Sequence, residues 1–228
     1  MSKLHIVSAG TTVPPERPTL TTPAGPLTTW FAVDGWTTDD GLPDACRRLA
    51  TGTLQAIYRT DRLQGEVLIG PIIPALPPGM AVGGCVAAIW RVRALQQLHN
   101  VRFECSWCCI PAEADGGPAP GEGLDAQTWT IGNLALSVGT QDGELLASLA
   151  TRGDGVPPRL VDEFSLGTIE YSPAGLVVPF SGLHPTEWLQ VHFIVAWQQG
   201  TPRAETATWF AVEQPSATLL DQMIPPER

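Results

Sequence analysis

The sequence predicts an all-β fold: two tandem antiparallel β-sandwich modules, of jelly-roll or immunoglobulin-like type, preceded by an extended N-terminal arm. Composition is the first reason, because 23 glycines and 22 prolines among 228 residues favour strands joined by many turns over long helices. The second reason is that several segments alternate apolar and polar residues with a period of two, as half-buried strands do. The third reason is that the two halves of the chain resemble each other.

The internal similarity consists of short segments that recur in the same order. Residues 29–30, 50–54, 76–90 and 106–110 correspond in turn to residues 128–129, 165–169, 183–197 and 208–212. Each half is predicted to finish on a Trp-bearing strand, and the pentapeptide T-W-F-A-V occurs twice, at residues 29–33 and 208–212. We interpret the pattern as an internal duplication, with convergent strand composition as the alternative.

Residues 112–126, A-E-A-D-G-G-P-A-P-G-E-G-L-D-A, have the glycine, proline and acidic content of a solvated linker. Each half is then large enough for two antiparallel sheets to pack face to face. The predicted organisation is an extended Pro-rich arm at 1–27, a first β-sandwich at 28–111, the linker at 112–126, a second β-sandwich at 127–214, and a short C-terminal helix and tail at 215–228.

In the first half, residues 40–49 have the spacing of a short capped helix that begins near Pro43, since proline suits a first helical turn. Residues 67–90 run for 24 residues without a charge. They contain four prolines, which would interrupt a helix repeatedly, so they predict two buried strands around a Pro-rich turn rather than a membrane span.

In the second half, residues 134–138 alternate before the turn signal Asp142-Gly143. With residues 145–149 they predict a β-hairpin around an Asp-Gly turn. Residues 188–197 alternate cleanly and predict a strand with one apolar and one mixed face. Residues 219–224 have helical spacing for about two turns before a proline pair ends them.

Three of the five cysteines stand within residues 105–109, C-S-W-C-C. On a strand, Cys105 and Cys109 face the core, whereas Cys105 and Cys108 project to opposite faces, which opposes half a zinc site or a dithiol. No second C-x-x-C and no pair of closely spaced histidines completes a metal site. We therefore predict no metal, no cofactor and reduced structural cysteines, with an intermolecular disulfide through Cys108 as an alternative.

The formal charge of −10, without a basic cluster, disfavours nucleic acid and anionic lipid as partners. The first residues, M-S-K-L-H-I-V-S-A-G, lack the apolar stretch of a secretory signal. We expect cytoplasmic synthesis, no nucleic-acid partner and no membrane association.

No nucleophile elbow, phosphate loop, dinucleotide fingerprint or zinc-protease helix occurs, and the prediction is a protein that is not an enzyme and has no catalytic residue. Carboxylates occur at Asp39-Asp40, Asp154 and Asp162-Glu163. They could serve as acid and base or bind calcium, but they lie beside glycine or proline, where acidic residues commonly start turns. A hydrolase that uses these acidic loops is one alternative.

Eight tryptophans are many for this length, and aromatic planes are common platforms for sugar rings. Six of them recur at corresponding positions and are expected in the core: Trp30, Trp90, Trp107, Trp129, Trp197 and Trp209. Trp36 and Trp188 follow polar turn sequences and are the two candidates for outward presentation to a ligand or partner. They support a further alternative, a carbohydrate-binding module or lectin.

Residues 8–27 contain five prolines and bury little apolar area on their own, so an ordered arm must be held by its own sandwich or by a neighbour. We favour a neighbouring subunit, and expect a homo-oligomer within a larger assembly of protein subunits. The candidate partner-binding residues are Pro14, Pro15, Arg17, Pro18, Leu20, Trp36 and Trp188.

The arm at residues 8–27 and the repeat at residues 29–212 together resemble the structural β-sandwich proteins of tailed bacteriophage particles, of decoration, fibre or tail type. The resemblance is architectural and rests on no sequence motif. It implies a structural virion protein that assembles with other subunits through its arm and sandwich surfaces, and that moves into the virion after cytoplasmic synthesis.

Overall fold

The computed structural model describes residues 10–165, 167–200 and 203–224. The described strands follow in the order β1 Thr11–Val13, β2 Thr19–Thr22, β3 Gly25–Val33, β4 Trp36–Thr37, β5 Ala45–Arg48, β6 Leu54–Arg59, β7 Leu63–Pro71, β8 Gly84–Ala94, β9 Leu98–Trp107, β10 Ala114–Pro118, β11 Leu124–Ile131, β12 Leu134–Gln141, β13 Glu170–Ser172, β14 Gly175–Leu183 and β15 Trp188–Gln199. The described helices are α1 Gly143–Arg152, α2 Ala204–Val212 and α3 Ser216–Met223, with 3-10 turns at Thr38–Asp40 and Pro158–Glu163. The predicted mainly β, antiparallel fold is confirmed. None of the described helices has the length and apolar character to cross a lipid bilayer.

The strands form two antiparallel sheets. Nine strands lie in the order β1-β5-β6-β7-β8-β15-β12-β11-β10, and the other sheet has the order β13-β14-β9-β3-β2, with β4 paired to β3. Strands from both halves of the chain are neighbours in each sheet, because β8 pairs with β15 and β9 lies between β14 and β3. The sheets therefore do not divide at the predicted boundary into two tandem modules, and the duplication stays a prediction.

The two sheets share one apolar core. Trp90 on β8 is fully buried, and its ring lies within 6.4 Å of the rings of Phe31 and Phe103 on the facing sheet. A second, smaller core covers the other face of the nine-stranded sheet, where α2 and α3 bring Ala211, Leu219 and Met223 against the sheet. Burial of this apolar surface on both faces of β8 and β15 is the main stabilising term of the fold.

The described part of the predicted arm, residues 10–27, packs on its own chain. Strand β1 pairs with β5, and β2 pairs with β3. Leu20 and Leu27 have no exposed surface and lie in the shared core. These residues therefore pack on the core of their own chain and do not form a free arm, while contact with a neighbouring subunit stays a prediction. Residues 1–9 lie outside the described residues.

The predicted hairpin after β12 is also corrected, since residues 143–152 form α1. Asp142 caps this helix with its side chain, whose Oδ1 accepts the Leu145 N–H at 2.7 Å. Leu146 and Ala150, four residues apart, are the side chains buried against the core, and Gly153 ends the helix in the left-handed region at φ 63°. The alternating residues at 145–149 therefore lie in a helix and not in a strand.

Three further elements differ from the prediction. Residues 208–212 lie in α2 and not in a strand, so the correspondence with residues 106–110 does not extend to structure. The short helix expected at residues 40–49 is instead a 3-10 turn and the strand β5. The segment expected as a linker forms β10, the edge strand that pairs with β11. The helix expected near residue 219 is present as α3.

Candidate functional site

One cleft of about 260 Å³ lies where the chain passes from β4 in one sheet to β5 in the other. Its wall includes Trp36, Asp40, Asp44, Tyr58 and Arg59. We call it the Trp36 cleft. Trp36 and Asp40 come from the segment that leaves the six-stranded sheet, whereas Tyr58 and Arg59 come from the end of β6 in the nine-stranded sheet.

Trp36 is positioned by a two-residue hairpin turn. Asp34 and Gly35 both have positive φ, at 48° and 82°, which is the conformation that an Asp-Gly hairpin favours. The turn pairs Val33 with Trp36 and returns the indole onto β3, where its ring lies edge-on to Phe31 at 6.2 Å. Trp36 remains partly exposed, so its ring both packs on the core and lines the cleft.

Two threonine hydroxyls fix the turn that carries Asp40. The buried Thr38 hydroxyl oxygen accepts the Phe31 N–H at 3.0 Å, which ties the turn to β3. The Thr37 hydroxyl oxygen accepts the Asp39 N–H at 3.1 Å and caps the 3-10 turn. Asp40, at the end of that turn, is exposed and lines the cleft.

The opposite wall is held by Asp44, whose carboxylate accepts the backbone N–H of Arg59. Tyr58 is buried to 4% exposure, and its hydroxyl has no hydrogen-bond partner among the residues that the structure describes. Burial raises the pKa of Tyr58 above its ordinary value, so the phenol keeps its proton. A neutral O–H donor therefore lies in the wall without an acceptor of its own.

The chemistry of the Trp36 cleft is that of a site for a neutral, hydroxyl-rich ligand. Trp36 offers an aromatic surface, Asp40 and Asp44 offer acceptor oxygens, and Tyr58 and Arg59 offer donors. A buried polar group without a partner costs about 1–3 kcal/mol, and the Tyr58 hydroxyl is such a group.

The structure brings together only some of the predicted site residues. Asp39, beside Asp40, does not line the cleft but pairs with Arg17 at 3.4 Å on the surface. Trp188, the other tryptophan expected to face outward, is partly exposed at the start of β15 and is not part of this cleft. Glu163 accepts the backbone N–H of Ser181 at 3.1 Å, which ties the 3-10 turn Pro158–Glu163 to β14.

The arm residues proposed for partner binding divide into two groups. Pro14, Pro15 and Arg17 are exposed, whereas Pro18 and Leu20 are buried within the chain. Partner binding by the exposed group stays a prediction, but Leu20 occupies the core and has no surface to offer.

The other sequence predictions concern tryptophans, cysteines and metals. Trp90, Trp107 and Trp129 are buried as expected, while Trp30, Trp197 and Trp209 are only partly buried. Cys105 faces the core, but Cys109 is exposed because β9 ends at Trp107. Among the described residues, no group of three or more metal-binding side chains is close enough to hold an ion.

The sequence gives no signal for half of the cleft. Asp44, Tyr58 and Arg59 belong to an ordinary turn and an ordinary strand, and only the pairing of β5 with β6 places them near Trp36. The D-G-W-T-T-D-D-G segment at residues 34–41 is the part of the cleft that the sequence analysis proposed as a candidate site.

The comparisons with known proteins assign no family to the chain. No protein-family model matches the chain, and no curated protein matches its sequence. Among solved structures it is similar to one described as "Putative kojibiose phosphorylase from human microbiome", with a TM-score of 0.46 and 7% identity. The similarity covers 86% of this chain and 24% of that chain, so this chain spans about a quarter of that protein's length. No residue role passes from that protein to this chain.

The same finding contradicts two predictions, a structural protein of a phage particle and a protein that is not an enzyme. Neither prediction is carried further. Their weakness was physical, since stacked antiparallel strands occur with many functions and the arm that suggested assembly is folded on its own chain from residue 10 onward.

Proposed function

We propose that the protein binds a carbohydrate in the Trp36 cleft. The observation that carries this proposal is the meeting of a partly exposed indole with carboxylate, guanidinium and unpartnered phenol groups around one cleft. Its volume of about 260 Å³ is close to the lower end of ligand pockets, which supports one or two sugar rings as the occupant.

Each group would have a separate role. The apolar face of a sugar ring packs on Trp36, and the ring hydroxyls donate to Asp40 and Asp44. Arg59 adds donors at the rim. A neutral ligand fits this mixture better than an anion, because the two lining carboxylates outnumber the one guanidinium.

The test is a screen of neutral oligosaccharides, followed by calorimetry on any sugar that binds. Trp36→Ala should weaken binding about tenfold or more, as loss of a central aromatic does at other sites. Trp188→Ala is the matched control, since it removes another partly exposed indole outside the cleft. Equal losses in both variants, or no binding by any neutral sugar, would contradict the proposal.

The two carboxylates also allow a second candidate function, cleavage of the bound glycosidic bond. Retaining and inverting glycosidases place two acidic side chains on opposite sides of the bond: one protonates the leaving oxygen, and the other activates water or attacks the sugar. Asp40 and Asp44 line the same cleft as the aromatic platform, which favours this chemistry here.

Release of reducing ends from the bound oligosaccharide tests this second candidate. Asp40→Asn should lower the rate about a hundredfold or more while the affinity changes little. Asp39→Asn is the control, because its carboxylate is the sequence neighbour that pairs with Arg17 outside the cleft. If the wild-type protein binds the sugar without cleaving it, the protein is a binding domain.

A further inference from the structure

A second cavity, also of about 260 Å³, shares no lining residue with the Trp36 cleft. We call it the His192 cavity. Its wall comes from the loop before β11, which contributes Glu122, from β15, which contributes His192, and from the segment between α2 and α3, which contributes Glu213.

His192 is 3% exposed and is held by a short chain of hydrogen bonds. Its backbone N–H donates to the side-chain oxygen of Gln141 at 3.2 Å. The amide nitrogen of Gln141 donates to the hydroxyl oxygen of Ser216 at 3.3 Å, and that oxygen lies 2.8 Å from Nδ1 of His192. Strand β12, strand β15 and the start of α3 therefore orient one imidazole.

We assign the tautomer of the ring from this chain of bonds. The Ser216 hydroxyl oxygen already accepts a hydrogen bond from the Gln141 amide, and we place its own hydroxyl proton in the bond to Nδ1 of His192. Burial lowers the pKa of His192 to about 4, so the ring is neutral at pH 7. Its single proton is then on Nε2, and that N–H has no acceptor within the part of the chain that the structure describes.

The mouth of the cavity is acidic. Glu122 and Glu213 are both exposed, and neither forms an ion pair with another described residue. The cavity wall contains no lysine or arginine, and its remaining surface includes the apolar side chains of Leu124 and Val212. The two carboxylates and His192 do not form a metal-binding group.

We infer that the His192 cavity binds a small organic amine that also carries a hydroxyl or carbonyl oxygen, such as an amino sugar. The ammonium group pairs with Glu122 and Glu213, and the oxygen accepts the Nε2–H of His192 at the buried end. The apolar walls contact the carbon skeleton between these two groups. An anion is excluded because it would face two carboxylates without a compensating cation.

Glucosamine is a suitable probe, with glucose as the uncharged control. In calorimetric or NMR titrations we expect the wild-type protein to bind glucosamine about tenfold more tightly than glucose at this site. The double variant Glu122→Gln/Glu213→Gln should lose about tenfold of that affinity, while Glu144→Gln, an exposed glutamate on α1 outside the cavity, should retain it. Trp36→Ala should also retain it, which separates this site from the Trp36 cleft.

The tautomer provides an independent readout that needs no substitution in the buried network. Long-range ¹H–¹⁵N NMR of the His192 ring should show the proton on Nε2 in the free protein and a shift of that signal when glucosamine binds. A proton on Nδ1, equal affinity for glucose and glucosamine, or full affinity in the double glutamate variant would each overturn the inference.

Discussion

Trp90 on the nine-stranded sheet donates its indole N–H to the hydroxyl oxygen of Thr29 on the facing sheet, across 2.7 Å. Both side chains are buried, at 0% and 2% exposure, so this is a polar link inside the apolar core. The largest core side chain can be buried there because its one polar atom has a partner.

Thr29→Val should therefore destabilise the protein by about 1–3 kcal/mol, because valine has similar shape but leaves the Trp90 N–H buried without an acceptor. Urea unfolding followed by tryptophan fluorescence measures the change. Thr21→Val, at an exposed position of β2, is the control and should change the free energy of unfolding by less than about 0.5 kcal/mol. A Thr29 variant as stable as this control would show that the link contributes nothing.

Two substitutions of Asp142 should destabilise the protein to different extents, because each carboxylate oxygen accepts a different backbone N–H. Oδ1 accepts from Leu145 at 2.7 Å and Oδ2 accepts from Gly123 at 2.8 Å. Asp142→Ala should lower the free energy of unfolding by about 2 kcal/mol, whereas Asp142→Asn keeps one acceptor and should cost less. Thermal unfolding of the two variants checks the order, and the reverse order would be inconsistent with the double cap.

The stability of the protein should fall in mild acid through His192. Its pKa is about 4 in the folded protein against 6.5 for an ordinary histidine, so the unfolded chain takes up a proton first as the pH falls. The contribution of neutral His192 to the free energy of unfolding is complete above pH 6.5. It is lost as the pH falls towards 4. Between pH 7.5 and 4.5 this loss amounts to about 2 kcal/mol.

The measurement compares unfolding free energies of the wild-type protein and His192→Gln at those two pH values. Burial raises the pKa of Glu104 and Asp125, but both groups are present in the two proteins, so their effect on the unfolding free energy cancels in the difference. If the variant loses as much stability in acid as the wild type does, His192 is not the responsible group.

Thiol reactivity should separate the five cysteines into two classes. Cys108 and Cys109 are exposed after the end of β9, whereas Cys46, Cys85 and Cys105 are buried. Burial also raises the pKa of Cys85 to about 12 and that of Cys105 still further from its ordinary value, so neither forms a reactive thiolate. Titration with a disulfide reagent should find two fast thiols in the native protein and five in denaturant.

The pentapeptide T-W-F-A-V shows where sequence patterns suffice and where they do not. At residues 29–33 it lies within strand β3, and at residues 208–212 it lies within helix α2. In the second position, Ala204, Ala207 and Ala211 form a buried stripe with helical spacing, which a search for alternating residues overlooks. The two copies have the same intrinsic secondary-structure propensity, so packing against the rest of the chain determines that one is a strand and the other a helix.

The Trp36 cleft was half predictable for a similar reason. Trp36 and Asp40 belong to one continuous turn sequence, which composition alone identifies as exposed and polar. Tyr58 looks like a core residue, and its role depends on the pairing of β5 with β6 and on a hydroxyl without a partner. Neither the strand pairing nor the unpartnered hydroxyl can be predicted from the residues next to Tyr58 in the sequence.

The ladder between β8 and β15 joins residues that are about a hundred positions apart, from Trp188 with Arg93 to Trp197 with Gly84. During synthesis, the edge of β8 has no partner until the ribosome has released the segment that forms β15. Until then the unpaired backbone groups at this edge are available to other chains, so mispairing during translation is the hazard expected from placing the two halves side by side.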